Sequence, residues 1–226
     1  MPQPGKVKTR LAKDLGTAHA TRLYECFVLD TLQNLRQLNA QLIVCYAGSE
    51  PAIKTWLTQP DLIFQAQQGE DLSAKLRFAF EQAFELGYTQ AIALGSDSPD
   101  LPISYLQQAI TALSGETVVI GPAADGGYYA IGFSQQGFVP QVFEQIAWST
   151  STVYAETLAH LQTRAVYALP LWFDVDTLTD LQHLHTRLQA TAVDCYTSRY
   201  LNQHWQSFAE ACGQSQSNLL TPKPDD

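Results

Sequence analysis

No stretch of the chain approaches the roughly 18 uninterrupted apolar residues that a membrane-crossing helix needs. The amino terminus has Pro2, Pro4 and Lys6 where a secretion signal would have its apolar stretch. Both observations argue against secretion and membrane insertion, and the chain reads as cytoplasmic. Cysteine is scarce and dispersed: Cys26, Cys45, Cys195 and Cys212 form no Cys-x-x-Cys pair, and no histidine stands at metal-finger spacing. A disulfide scaffold and a zinc ribbon are therefore excluded, and the four read as buried, reduced thiols. Basic charge is also short, at 13 Lys and Arg against 22 Asp and Glu, which excludes a general binder of nucleic-acid polymers. Repeats, low-complexity linkers and composition breaks are absent. With 226 residues and 46% hydrophobic content, the chain reads as one domain over 1–212 followed by a polar, mobile tail over 213–226.

The basic residues that are present are concentrated. The first 22 residues hold Lys6, Lys8, Arg10, Lys13 and Arg22 against the single acid Asp14, while the remainder is strongly acidic. A local cationic site on an acidic protein suits a small polyanion better than a polymer.

Hydrophobic spacing predicts a helix over 17–38, a strand over 42–47 buried on both faces, a short helix over 51–57 and a strand over 62–66. Leu72, Leu76, Ala79, Phe80, Ala83 and Phe84 predict a helix stopped by Gly87. A strand over 91–94, a helix over 102–113 and strands over 117–120 and 128–133 follow. Then come a helix over 152–161, a strand over 165–169 and helices over 177–188 and 196–211, with Thr177 and Asp180 placed to cap the first of these two. Strands alternating with helices predict a mostly parallel sheet covered on both sides.

Ligands of such sheets bind beyond the carboxyl ends of the strands, so the loops there carry the candidate chemistry. In Pro2-Gln3-Pro4-Gly5-Lys6-Val7-Lys8-Thr9-Arg10, Pro4-Gly5 forms a turn and three alternating cations can converge on one anion, helped by helix amide groups, unless the arm is simply solvated. Its spacing is not that of a Walker loop. Gly95-Ser96-Asp97-Ser98-Pro99-Asp100 offers carboxylates at a strand end, suited to a hard cation shared with phosphates or to local turn bonding. In Phe173-Asp174-Val175-Asp176-Thr177 the two acids share a side while Val175 turns away, and either could bind metal or cap the helix. Asp125-Gly126-Gly127-Tyr128-Tyr129 permits close backbone approach and ring stacking, or forms a plain hairpin turn. Asp71, near a helix start, and Trp148-Ser149-Thr150, which lines a pocket or packs, are weaker signals. His19, His160, His183, His185 and His204 fall on helices without partners at ligand spacing.

In sequence order, Pro-x-Pro-Gly-x-x-Lys-Thr-Arg-Leu, Gly69-x-Asp71-Leu72, Gly95-x-Asp97-x-Pro99-x-Leu101-Pro102, Pro122-x-x-Asp125-Gly126-Gly127-Tyr128-Tyr129, Trp148-Ser149-Thr150 and Asp174-Val175-Asp176-Thr177 form a specific combination over about residues 2–185. Together they resemble a bacterial family of GT-A-type transferases described as glycosyltransferases, in part linked to arsenosugar synthesis, and similar to 2-phospholactate guanylyltransferase. The resemblance implies a three-layer, Rossmann-like nucleotide-diphospho-sugar transferase fold with one divalent cation, magnesium or manganese. It implies nucleotide and phosphate contacts from Gly5, Lys6, Lys8, Arg10, Asp71 and Ser96. By the same resemblance Asp97 would be the principal metal ligand and Asp174 the second carboxylate, with Asp176 beside it as the other candidate. Asp125, Gly126, Gly127 and Tyr128 face the acceptor or sugar, and Lys8, Arg10, Asp97 and Asp125 carry catalysis. Family members also have an apolar strand before the Pro-x-Pro-Gly loop, where this chain has Met1. The expectation is a start codon placed too late or a shortened chain.

The function expected is transfer from a nucleotide sugar to a small-molecule acceptor. Nucleotidyl transfer from a nucleoside triphosphate, releasing pyrophosphate, and non-catalytic nucleotide binding are the alternatives.

Overall fold

Strands and helices alternate as the spacing predicts in a computed structural model that describes residues 1–219, with side chains as far as Phe208. Residues 220–226 of the expected tail lie outside the described residues. The elements are α1 (Leu11–Leu15), α2 (Thr17–Leu35), β1 (Leu42–Tyr46), α3 (Glu50–Trp56), β2 (Leu62–Ala66), α4 (Leu72–Glu85) and β3 (Gln90–Leu94). After them come α5 (Ile103–Ala112), β4 (Val118–Pro122), β5 (Tyr128–Ser134), a 3-10 turn (Pro140–Phe143), α6 (Val153–His160), β6 (Val166–Ala168), α7 (Leu178–Thr191) and α8 (Tyr196–Leu219). The chain gathers into two units, one of Met1, 34–95 and 101–174, the other of 2–33, 96–100 and the residues from 175 onward.

The first unit holds every strand of the described residues. β1 and β2 pair in parallel, and a four-stranded sheet runs in the order β3-β5-β4-β6. Within it β3, β4 and β6 share one direction and β5 alone is reversed, antiparallel to both β3 and β4. Alternate side chains separate its two faces, as the two-residue period of a strand requires. Ala91, Ala93, Val118, Ile120, Ile131 and Phe133 pack with Phe80 and Phe84 of α4, with Phe143 and with Leu158 and Leu161. Ile92, Leu94, Val119 and Ala130 pack on the other side with Leu106, Ala109 and Leu113. Helices thus cover both faces of this sheet. A register shift at Gly121/Pro122 is a bulge opposite Tyr129, so Tyr129 joins Ala130 on the second face. Tyr129 fills the space beside Gly121, where an added Cβ would lie 2.4 Å from its ring, and its hydroxyl donates to Pro170 O at 2.9 Å.

The expectation that the 42–47 strand is buried on both faces is corrected. Leu42, Ile43 and Val44 are half-buried and Cys45 is exposed, because among the described residues β1 has a strand partner on one edge only. The cysteines are corrected with it: all three described are free, but only Cys26 is fully buried.

The second unit is helical. Leu11, Leu15, Leu23, Phe27, Val175, Leu181, Leu184 and Leu201 form its core. Asp30, 3% exposed, accepts hydrogen bonds from Tyr196 N and Thr197 N, both at 2.8 Å, and so caps the start of α8. The predicted cap of α7 is present as a full capping box between Thr177 and Asp180. Two corrections concern length: α2 closes at Leu35 through tight turns at Asn34 and Leu35, and α8 continues beyond 211 to Leu219. No helix among the described residues is long and apolar enough to cross a membrane.

Candidate functional site

Three segments of the second unit meet at the ammonium of Lys8. The first is the basic loop. Gln3 O accepts from Lys6 N at 3.0 Å across Pro4-Gly5, and Gly5 at φ +77° supplies the positive angle this turn requires. Lys8 itself has φ +46°, a left-handed conformation uncommon outside glycine. Its side chain is 3% exposed. The helix that follows, α1, has five residues, too short for a strong terminal dipole.

The second segment carries Asp97, whose Oδ1 lies 2.5 Å from Lys8 Nζ. The third carries Asp176, whose Oδ1 accepts from the same nitrogen at 2.9 Å. The two acidic segments are tied directly, Val175 N donating to Asp97 O at 3.0 Å while the Val175 side chain enters the core. Asp180 then fixes the turn, since its Oδ2 accepts from Asp176 N at 3.1 Å and Thr177 N at 2.8 Å. Beneath the ammonium lie the rings of Tyr24 and Phe27, each centroid 5.9 Å away. The Tyr24 hydroxyl is hydrogen-bonded to Ser96 Oγ at 2.8 Å.

The electrostatics follow from this geometry. Burial pulls the Lys8 pKa down, but Asp97 and Asp176 more than offset it, and the pKa ends above the ordinary lysine value. Burial raises the Tyr24 pKa, so its phenol stays neutral. The carboxylates remain open, with side chains 45% exposed for Asp97 and 42% for Asp176. Arg10, 66% exposed, stands 3.8 Å from Asp176 Oδ2, and Lys6 is exposed.

Lys8, Arg10, Ser96, Asp97 and Asp176 are therefore brought together. Asp100, in the same loop as Asp97, is engaged by Arg187, whose Nε and Nη2 donate to its two oxygens at 2.6 and 3.3 Å. Gly5 and Lys6 belong to the same loop of the second unit as Lys8, and the remaining predicted positions belong to the first unit. Asp71 caps α4, accepting from Ala74 N at 2.8 Å, and Gly69 at φ +116° packs against Ala74. Asp125 closes its own turn by accepting from Gly127 N at 2.8 Å. Tyr128 packs on the sheet edge-to-face with Trp148, centroids 6.1 Å apart, and Trp148 Nε1 donates to Ser73 Oγ at 2.7 Å. Asp174 ends this unit. In the sequence Phe27 reads only as part of the apolar face of the 17–38 helix and Tyr24 goes unread, although their three-residue spacing on α2 is the signal that puts them on one helix face.

Two carboxylate oxygens within 2.9 Å of one point form a hard, all-oxygen donor pair that fits magnesium or manganese better than zinc. Among the described residues no group of three or more His, Cys, Asp or Glu converges. The remaining coordination of such an ion would have to come from phosphate and water, as is usual for magnesium.

Residues 30–150, more than half of the chain, match the family described as "uncharacterized protein conserved in bacteria (DUF2064)". The chain belongs to this family. No protein of curated function matches it. A crystal structure from Desulfovibrio desulfuricans G20, described as a candidate nucleotide-diphospho-sugar transferase, is 38% identical. It superposes with a TM-score of 0.87 over 93% of this chain and 94% of its own. The fold is thus the α/β fold of the nucleotide-diphospho-sugar transferases. A manganese complex of Rv0371c from Mycobacterium tuberculosis H37Rv is 23% identical, with a TM-score of 0.48 over 70% of this chain and 85% of its own. A CMP:2-keto-3-deoxy-manno-octonic acid synthetase complexed with CTP is 13% identical, with a TM-score of 0.48 over 74% and 88%.

Proposed function

We propose that this member of the family is a metal-dependent transferase that uses a nucleotide-activated donor, moving a sugar from a nucleotide-diphospho-sugar to a small acceptor. The observation that carries the reading is the meeting of the buried Lys8 with Asp97 and Asp176, residues up to 168 positions apart, whose carboxylates remain open to solvent. Support also comes from the Desulfovibrio structure, whose description is that of a candidate nucleotide-diphospho-sugar transferase.

Asp97 and Asp176 would hold a magnesium or manganese ion. When bound there, such an ion neutralises phosphate charge and assists departure of the leaving group. Lys8 is the buried cation nearest that charge, and Arg10 and Lys6 are exposed cations able to reach further phosphate oxygens. Tyr24 holds Ser96 beside Asp97 and gives the lysine stem an aromatic floor. These residues position and stabilise; none of them needs to form a covalent bond to the donor.

Nucleotidyl transfer is the second reading. The exposed Lys6 and Arg10 favour it, because two cations beyond the buried Lys8 suit a triphosphate. The two are separated by product analysis with nucleotide sugars and nucleoside triphosphates under magnesium or manganese. A released nucleoside diphosphate marks glycosyl transfer, and pyrophosphate marks nucleotidyl transfer. Either activity should vanish in Asp97→Asn while the protein stays folded. Nucleotide binding with no metal-dependent turnover of any donor would leave only a non-catalytic binding role.

A further inference from the structure

The ammonium of Lys8 stands where a divalent ion would have to stand. Its nitrogen is 2.5 Å from Asp97 Oδ1 and 2.9 Å from Asp176 Oδ1, whereas a magnesium ion sits about 2.1 Å from each carboxylate oxygen it binds. The two cations cannot share that point. Their separation would be a few ångströms, and their repulsion would be felt in a site whose floor is made of the Tyr24 and Phe27 rings. Lys8 is also held in place from the backbone side, by a left-handed φ and by Lys8 O accepting from Ala12 N at 2.8 Å.

We infer that Lys8 is the resident counter-ion of the Asp97–Asp176 pair and excludes divalent cations from it until a polyphosphate arrives to take the lysine. This rests on the reading of the site as one for a metal and a polyphosphate. Metal alone would have to displace an ammonium that is 3% exposed and leave it without an anion, a costly state in a poorly solvated position. A polyphosphate removes that cost by supplying oxygens to the displaced ammonium, so the metal enters together with the donor. Binding of the two is then mutually reinforcing by the same factor in each direction. Lys8 in this role sets the order of binding, and it prevents the empty carboxylate pair from collecting free metal.

The test is manganese binding to the full-length protein without nucleotide, read from the electron paramagnetic resonance signal of free manganese. Lys8→Met should bind manganese at least about tenfold more tightly than wild type, since one competing cation is gone. Adding Asp97→Asn should abolish the gain. Lys8→Gln, which keeps a polar side chain, should show the same direction and serves if Lys8→Met does not fold. On the wild type itself, acetylation of Lys8 by acetic anhydride, followed by peptide mass spectrometry, should rise severalfold when manganese is saturating.

Equal or weaker manganese binding in both lysine variants, with wild-type binding that depends on Asp97, would overturn the exchange and leave the metal site standing. Absence of any Asp97-dependent manganese binding in all variants, with or without a nucleoside diphosphate, would overturn both.

Discussion

The ion cluster is lopsided in burial, and this asymmetry has a measurable consequence for stability. Lys8 is 3% exposed at its side chain, while Asp97 and Asp176 are 45% and 42% exposed. In Lys8→Met the two carboxylates turn to water. Their mutual repulsion at such exposure is on the order of 1 kcal/mol, and a methionine packed on Tyr24 and Phe27 offsets part of it. The reverse change, Asp97→Asn with Asp176→Asn, keeps shape but strands a buried ammonium, for which losses of about 3–5 kcal/mol are typical. A ceiling exists because the lysine can shed its proton. At pH 7 that costs about 1.4 kcal/mol for each unit below its ordinary value of 10.5, or about 5 kcal/mol in all.

The two cases also differ in the sign of their pH dependence. In wild type the native pKa is raised, so the stabilisation is fully present below 10.5 and is lost as pH rises through the native value. In the double variant burial lowers the native lysine pKa below 10.5, so stability climbs as pH rises through that lowered value toward 10.5, at up to about 1.4 kcal/mol per unit. Urea denaturation at pH 7, 8 and 9 with unchanged slope m would show the double variant at least about 2 kcal/mol below Lys8→Met at pH 7, with the gap narrowing toward pH 9, where shedding the proton still costs about 2 kcal/mol. A Lys8→Met variant less stable than the double variant, or parallel pH profiles, would refute the reasoning.

Three further outcomes follow from other parts of the molecule. Asp30→Ala removes the acceptor of two backbone N–H groups at 2.8 Å in a buried setting, and should cost about 3 kcal/mol by urea titration, with Asp30→Asn costing less. A loss under about 1 kcal/mol would mean that α8 is capped by something else. Gly126→Ala places a Cβ 2.2 Å from Ser151 O at φ +92°, so a loss of at least about 2 kcal/mol is expected in thermal melts, and a neutral result would contradict the packing of that loop. Burial pushes the Cys26 thiol up to about 11. At pH 8 its alkylation by iodoacetamide should run more than about a hundredfold slower than that of a free thiol, with the exposed Cys45 labelled first.

Much of the fold was legible because periodicity is a local signal. The helix begun by Leu72 and ended before Gly87, the strand at 62–66 and the Thr177–Asp180 cap all stand where spacing and cap chemistry put them. Strand order was not legible, since nothing in the run 128–133 says that it inserts between β3 and β4 and runs against both. Nor did the apolar content of 42–47 reveal that burial would be incomplete, because burial depends on which edges find partners.

That Lys8 and Asp97 lie in candidate loops was readable from residue type and position. Which of Asp174 and Asp176 pairs with Lys8 was not, because both fall on the same side of an extended segment. Hydrogen bonds from Asp176 N and Thr177 N to Asp180, four and three residues on, hold Asp176 at the lysine. The turn roles of Asp71 and Asp125, and the pairing of Asp100 with Arg187, show how often an acid in a loop serves backbone or a neighbouring cation.

The central claim is that Asp97 and Asp176 form one cation site beside Lys8, and anomalous diffraction tests it most directly. Crystals grown with manganese and a nucleoside diphosphate should show a single anomalous peak between Asp97 and Asp176, about 2.1–2.2 Å from their oxygens, with the Lys8 ammonium moved onto phosphate. Manganese bound elsewhere, with Lys8 still paired to both carboxylates while nucleotide is present, would contradict the account.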